Sequence, residues 1–357
     1  MGARTRRNRR ASRGGLTSGA RELGVWAACD TQLSEATRRR RKVSVLSLGA
    51  MRFGTMTDEA TSFAILDRYV AAGGNFIDTA NSYNFLAHGT QGGESEALLG
   101  RWRASRGIGD EVVIATKTGH RPVVPTTNYE TPSEGLSRAK IRESAQRSRK
   151  LLGVERLDLY YAHVPDQRGV PLAEQVAAFG ELVSDGTVGL LGLSNHWCWQ
   201  VERARNLAAA AGTARADVLQ YHHTYLRMRT DLPVPPFTKD GELGAADGSI
   251  LSYVRAEPGL TLVAYSPLLN GAYTEPGKEM EPGYDHPGTR ARLAALSTVV
   301  KETGATANQV VLAWLMGGEL PVVPVFGASS VAQLDEDLAG VELQLTARQR
   351  ELLDAAN

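Results

Sequence analysis

Cysteine is nearly missing from this chain. Two in 357 residues, Cys29 and Cys198, exclude a disulfide-framed fold. Cys198, within His196-Trp197-Cys198-Trp199, reads as a small apolar residue rather than a nucleophile. No apolar run is long enough to span a bilayer. Neither sign of charge dominates, the formal balance being +1, so nothing points to a nucleic-acid partner or a membrane surface. His88, His222, His223 and His286 are scattered, without the spacing of a metal site. A cytoplasmic protein with no metal is expected, its oligomeric state left open.

What is present is a repeating grammar. From Val43 onward, short β-rich runs alternate with helix-period runs. The strands start near Val43, Asn75, Val112, Leu157, Val188, Val218, Leu260 and Val322. Helix signals fall between them. Asp58 precedes an amphipathic run that Gly73-Gly74 ends. Ser133 with Glu134 opens a helix that Gly153 closes. Pro171 opens another, closed by Gly186, and a further one runs from about His196 to Ala211. Thr289 to Thr303 and Thr306 to Met316 read as two helices around Gly304. Ser329 or Ser330, and then Thr346, cap the last two. Eight strand–helix units predict an α/β fold closed as a (β/α)8 TIM barrel, with extra C-terminal helices and long loops at the mouth. A doubly wound sheet is the alternative. It requires a glycine-rich turn after the first strand, and Gly49-Ala50-Met51-Arg52-Phe53-Gly54 does not fit that fingerprint.

Residues 1–42 differ from the rest. Arginines crowd at Arg6, Arg7, Arg9, Arg10 and at Arg38 to Arg41, and apolar periodicity is lacking. A basic, solvated tail is expected. No apolar core follows Arg9-Arg10, so it is not an export signal. Residues 43–357 are expected to form one catalytic barrel domain.

Three strands end on groups of chemical interest. Phe76-Ile77 runs into Asp78, with Tyr83 on the loop above. Val112 to Thr116 runs into Lys117, and Leu157 to Ala162 runs into His163. In a parallel barrel the working groups stand at the C-terminal strand ends. A phenol near an ammonium has its pKa lowered, and a carboxylate can hold that ammonium in place. Such a phenol can donate a proton to a developing alkoxide, while a histidine orients the carbonyl oxygen. This suits carbonyl reduction by a cofactor's hydride.

At these residues the chain resembles the aldo-keto reductase superfamily, over roughly Val43 to the C-terminus. The matching pieces are Asp78 and Tyr83 in NFIDTANSY, Lys117 in VVIATKTG, His163 in LDLYYAHVPD, Ser194-Asn195 in LGLSNH, Gln220 in VLQYHH, and Tyr265-Ser266-Pro267 in LVAYSPL. Gly327-Ala328-Ser329-Ser330 with Gln333 and Leu334 is a late cofactor signature.

The resemblance implies an NAD(P)H-dependent reductase of an aldehyde or ketone, with Tyr83 as general acid. Its cofactor is NADPH, with NADH possible. It further implies that Ser194, Asn195 and Gln220 hold the nicotinamide carboxamide and that Tyr265 stacks on its ring. Gly49, Ala50, Met51, Asp78, Ser266, Pro267 and Leu268 complete that end, and Gly327, Ala328, Ser329, Gln333, Glu336 and Asp337 receive the adenosine end. Many members place Arg or Lys where this chain has Ser329, Ser330 and Gln333, and Asp337 replaces a frequent Asn. The family's short bottom-closing hairpin has only Gly24-Val25-Trp26 as its hint here. Phe53, Phe85 and Trp197 near the mouth, with Tyr83 and His163, suggest a small-molecule carbonyl substrate with an apolar body. The loops Phe85 to Gly93 and Arg227 to Gly248 read as substrate-facing, and Leu269 to Gly288 as a flap over the cofactor. A nucleotide-binding regulatory subunit of the same fold, with little turnover, is the alternative function.

Overall fold

The computed structural model describes residues 20–22, 42–85, 90–124, 126, 131–229, 231, 244–257, 259–275, 277–320 and 322–357. The expected solvated tail, residues 1–42, therefore lies outside the described residues except for 20–22 and 42. So do residues 86–89 of the first long loop, and residues 230 and 232–243 of the second.

Two short strands precede the barrel. β1 (Ala20–Glu22) pairs antiparallel with β2 (Lys42–Ser44). Eight parallel strands then close on themselves: β3 (Ser47–Gly49), β4 (Phe76–Asp78), β5 (Val113–Thr118), β6 (Leu157–Ala162), β7 (Val188–Ser194), β8 (Ala216–His222), β9 (Thr261–Tyr265) and β10 (Val322–Phe326). β10 pairs with both β9 and β3, and this closes the barrel. A closed barrel excludes the doubly wound alternative, which needs two open edges.

The helices around it are α1 (Glu59–Ala71), α2 (Glu94–Arg106), α3 (Arg138–Leu152), α4 (Leu172–Ser184), α5 (Cys198–Ala210), α6 (Gly248–Ala256), α7 (Pro287–Thr303), α8 (Ala307–Met316), α9 (Val331–Ala339) and α10 (Ala347–Ala355). Their starts follow local chemistry. The Asp58 carboxylate accepts from Thr61 N at 2.9 Å. Thr306 with Gln309, and Thr346 with Gln349, form reciprocal capping boxes that satisfy backbone N–H groups otherwise left unpaired.

Two boundaries differ from the sequence reading. The run from Val43 is not one strand but two, broken at Val45-Leu46. The Tyr69 hydroxyl holds the break, 2.8 Å from Ser44 Oγ and 2.7 Å from Leu46 O. The helix expected from Ser133-Glu134 begins only at Arg138, with Ser137 as its cap. Gly135, at φ 72°, takes a left-handed conformation that a right-handed helix cannot include. The Glu134 carboxylate serves elsewhere, accepting from Asn81 Nδ2 at 2.7 Å and Gly119 N at 2.9 Å.

Side chains alternate between the two faces of a strand, and here that period places the site. Val113 and Ala115 of β5 point into the barrel, Leu159 and Tyr161 of β6 do so next to them, and Val218, Val263, Val323 and Val325 complete an interior cluster with Phe76. Val43 of β2 joins it, closing the N-terminal end. The other parity faces the helices: Ile114, Tyr160, Leu219, Tyr221 and Leu262 belong to the larger core between sheet and helices. The Tyr161 ring fills the axis beside Gly192, where an added Cβ would lie 2.2 Å from it. Continuing the inward parity by one step brings Lys117, His163, Ser194, Gln220 and Tyr265 to the C-terminal rim.

Candidate active site

Four strand-end residues meet at this rim. Lys117 is fully buried and Asp78 is 1 % exposed. Their charges are in direct contact, the ammonium donating to Asp78 Oδ1. The same ammonium donates to Thr79 O at 2.8 Å and to the Tyr83 hydroxyl at 2.8 Å. The Tyr83 hydroxyl in turn donates to Asp78 Oδ1 at 3.0 Å. Asp78 Oδ2 accepts from Gln220 Nε2 at 2.8 Å. A buried ion pair is tolerable only when such hydrogen bonds satisfy the remaining lone pairs, and here both carboxylate oxygens are used. Tyr83 reaches the pair because the chain after β4 turns tightly. Tyr83 N donates to Ala80 O at 3.3 Å and Phe85 N to Ser82 O at 3.2 Å, with Asn84 at φ 59°.

The electrostatics set the protonation states. Burial, and then the Asp78 charge, push the Tyr83 phenol well above its ordinary value, so its proton is held at neutral pH. This net direction is opposite to the expected lowering by Lys117. The ammonium is already neutralised by Asp78 and serves as a donor to the phenol oxygen. Burial also lowers the Lys117 pKa, against the opposing pull of Asp78. Burial, then His120 and Lys117, hold His163 well below the ordinary imidazole value, so the ring is neutral. Its Nδ1 lies 3.4 Å from Ser82 Oγ. Rings stack edge to face outward from the phenol: Tyr83 to His163 at 5.9 Å, His163 to His120 at 5.4 Å, and His120 to Phe85 at 6.0 Å.

These groups open into a cavity of about 890 Å³ that runs across the barrel mouth to the start of α9. Asp78, Tyr83, Phe85, His163, Ser194, Asn195, Gln220, Tyr265, Ser266, Pro267, Leu268, Gly327, Ala328, Ser329, Gln333, Glu336 and Asp337 line it, with Gly49 and Met51. All five non-glycine residues at positive φ among the described residues, Asn84, Asn195, Ser266, Leu269 and Asn270, also line it. Backbone strain of this kind concentrates where geometry serves a ligand. The Asn195 amide is fully engaged: Nδ2 donates to His163 O at 2.9 Å and Ser194 Oγ at 3.1 Å, and Oδ1 accepts from the Tyr265 hydroxyl at 2.9 Å.

The segment expected to cover a cofactor lies against residues 222–229. The Tyr273 hydroxyl lies 2.7 Å from Thr224 Oγ1, Arg229 N donates to Gly283 O at 2.8 Å, and His286 Nε2 sits 2.8 Å from Arg227 O.

The far end of the cavity suits an adenosine but is not an open anion cradle. Ser329 N and Oγ both donate to Gln333 Oε1, at 2.9 and 2.7 Å, so the chain's own amide occupies the helix start. Asp337 Oδ1 and Asn308 Oδ1 are buried acceptors with no partner, on residues 4 % and 8 % exposed. Such orphans are rare in a folded chain and point to a group that pairs them. The cavity's volume, with Ser194 and Gln220 at one end and unpaired acceptors at the other, fits a nicotinamide dinucleotide.

Four sequence-predicted residues do not line the cavity: Lys117, buried behind Tyr83 and Asp78, and three others. Phe53 is 1 % exposed in the core. Ala50 is wholly buried, its N–H donating to Asp78 O at 2.8 Å. Trp197 stands at the start of α5 and does not line the cavity. Several lining residues were not singled out in the sequence, notably Arg52, Asn84, His120, Gln167, Tyr284 and Asn308. His120 lies beyond the end of β5 and Asn308 inside a helix, and no local pattern marks either of them. Among the described residues no group of His, Cys, Asp or Glu could hold a metal ion, and no helix is long and apolar enough to cross a membrane.

The chain matches the aldo/keto reductase family over residues 45–357. It is 32 % identical over 305 residues to an uncharacterized oxidoreductase, YrpG, of Bacillus subtilis, covering 85 % of this chain and 89 % of the relative. Norsolorinic acid reductase stcV of Emericella nidulans is 31 % identical over 318 residues, 85 % of this chain and 76 % of its own. Norsolorinic acid reductase B of Aspergillus parasiticus is 32 % identical over 329 residues, 88 % and 80 % respectively.

Proposed function

The chain belongs to the aldo/keto reductase family and is an oxidoreductase of carbonyl compounds, and on that premise we propose that it reduces an aldehyde or ketone to an alcohol with Tyr83 as the general acid. The observation that carries this reading is the continuous chain of hydrogen bonds from Asp78 through Lys117 to the Tyr83 hydroxyl, beside the neutral imidazole of His163. When bound, NADPH, or NADH as the alternative, supplies the hydride. His163 orients the carbonyl oxygen, by a hydrogen bond that does not depend on charge. As negative charge develops on that oxygen, Tyr83 gives up the proton that burial and Asp78 have kept on it. The Lys117 ammonium, already 2.8 Å from the phenol oxygen, stabilises the phenolate left behind. Asp78 keeps that ammonium charged and in place. Residues 43–357 form the catalytic unit in this reading, and the cytoplasm is its compartment.

The substrate is a small carbonyl compound whose apolar body lies along the ring wall of Phe85 and His120. Norsolorinic acid reductases among the relatives support testing ketones carried on aromatic frameworks first. Substituting Tyr83→Phe removes only the transferable proton. Turnover falls by about three orders of magnitude or more, while nucleotide binding, read by tryptophan fluorescence, stays within a few-fold. Turnover unchanged in this variant rejects Tyr83 as the acid.

A further inference from the structure

We infer that the adenosine end of the cavity selects a nucleotide lacking a 2′-phosphate, so that this chain prefers NADH to NADPH, with Asp337 as the discriminating residue; the inference rests on the reading of the cavity as a dinucleotide site. Hydrogen-bond bookkeeping leads to it. Asp337 Oδ1 and Asn308 Oδ1 are acceptors without partners, each on a residue more than nine-tenths buried that lines the cavity. Leaving a buried acceptor unpaired is costly, and a ligand that supplies donors removes that cost. An adenosine supplies them, through its ribose hydroxyls and its exocyclic amine. A 2′-phosphate offers only acceptors and brings negative charge.

The charges at this end point the same way. Glu336 lines the cavity next to Asp337. Among the described residues lining the cavity, only Arg52 and Lys278 are cationic, and Lys278 is paired with Glu275 at 2.9 Å. Arg68, the base that reaches α9, is engaged by Asp335 at 2.8 Å and does not line the cavity. The Ser329 N–H, just before the helix start, already donates to Gln333 Oε1. In doubly wound dinucleotide-binding sheets an acidic residue takes the ribose hydroxyl of the unphosphorylated cofactor and an arginine accommodates the phosphate of the other, and the same charge logic applies here. This end is of the first kind.

The test is a fluorescence titration of the full chain with NADH, NADPH, 5′-AMP and 2′,5′-ADP, alongside Asp337→Asn and Glu336→Gln, with thermal melts to show that each variant is folded. The wild type is expected to bind NADH at least about tenfold more tightly than NADPH, and 5′-AMP more tightly than 2′,5′-ADP. In Asp337→Asn the NADH-to-NADPH ratio falls several-fold, and Glu336→Gln moves it the same way by less. Tighter binding of NADPH by the wild type overturns the inference while leaving the reductase reading intact. So does a ratio that Asp337→Asn leaves unchanged. Failure of the wild type to bind either dinucleotide overturns both.

Discussion

Asp337 makes a second prediction that needs no nucleotide. Its carboxyl is 4 % exposed, and burial, then the neighbouring Glu336 charge, raise its pKa from 3.8 to about 7, with a hydrogen bond from Asn308 opposing. Because the folded-state pKa lies above the unfolded one, the folded chain keeps a proton that the unfolded chain has released throughout that interval. The contribution of this carboxyl to stability is therefore full below pH 3.8 and falls as pH rises toward 7, by about 4 kcal/mol in all. Asp337→Asn keeps the shape and cannot ionise, so it escapes the loss. From about pH 5 to about pH 8 the variant should gain about 3 kcal/mol on the wild type. With a urea slope of roughly 3 kcal/mol per molar for a chain of this size, the midpoints should separate by roughly 1 M over that range. The assay is urea unfolding of nucleotide-free protein, followed by tryptophan fluorescence at several pH values. Parallel curves, with the difference between variant and wild type constant across the range, would refute the claim that a buried carboxyl with one unpaired oxygen sits at this end of the cavity.

Gly192→Ala should destabilise the barrel by about 1–3 kcal/mol, because the new Cβ would enter the Tyr161 ring at 2.2 Å; an unchanged melting temperature would show that the axis is loosely packed. His163 and His120 both have lowered pKa values, chiefly through burial. Their neutral forms persist as pH rises from 6.5, so kcat/KM should show no imidazole inflection from there to about pH 8; a limb in that interval would mean that one ring is cationic in the working enzyme. Deleting residues 1–41 removes β1, which pairs with β2 at the end of the barrel opposite the site. Activity should stay within about twofold, the loss appearing in thermal stability instead, and a collapse of kcat with the fold intact would assign the N-terminal segment a role at the site.

What could be read from the sequence follows from how a parallel barrel is built. Its strands bury both faces, so each reads as an apolar run, and a polar residue ending such a run stands out. Asp78, Lys117 and His163 were found in that way, and strict alternation explains why they converge. The inward parity that packs Val113 and Ala115 in the axis carries Lys117 to the rim, and the parity of Leu159 and Tyr161 carries His163 there. Helix ends were legible where a single side chain makes the cap, as at Asp58 and Thr306. They were not legible at Ser133-Glu134, since that pair matches the local pattern of a helix start while Glu134 is claimed by partners far along the chain, Asn81 among them. The walls of the cavity were the least legible. Phe53 was drawn to the mouth by its place in sequence, yet the turn after β3 sends it into the core. Asn308 lies in the first turn of a capped helix, beside Gln309 of the capping box, where nothing local separates it from a tolerated polar residue. It gains meaning only because α8 packs beside α9 and sets its unpaired oxygen in the same cavity as that of Asp337. Strand-end chemistry is thus local and readable, whereas the proposed choice of nucleotide rests on two helices meeting, a property of the closed barrel rather than of any one stretch of it.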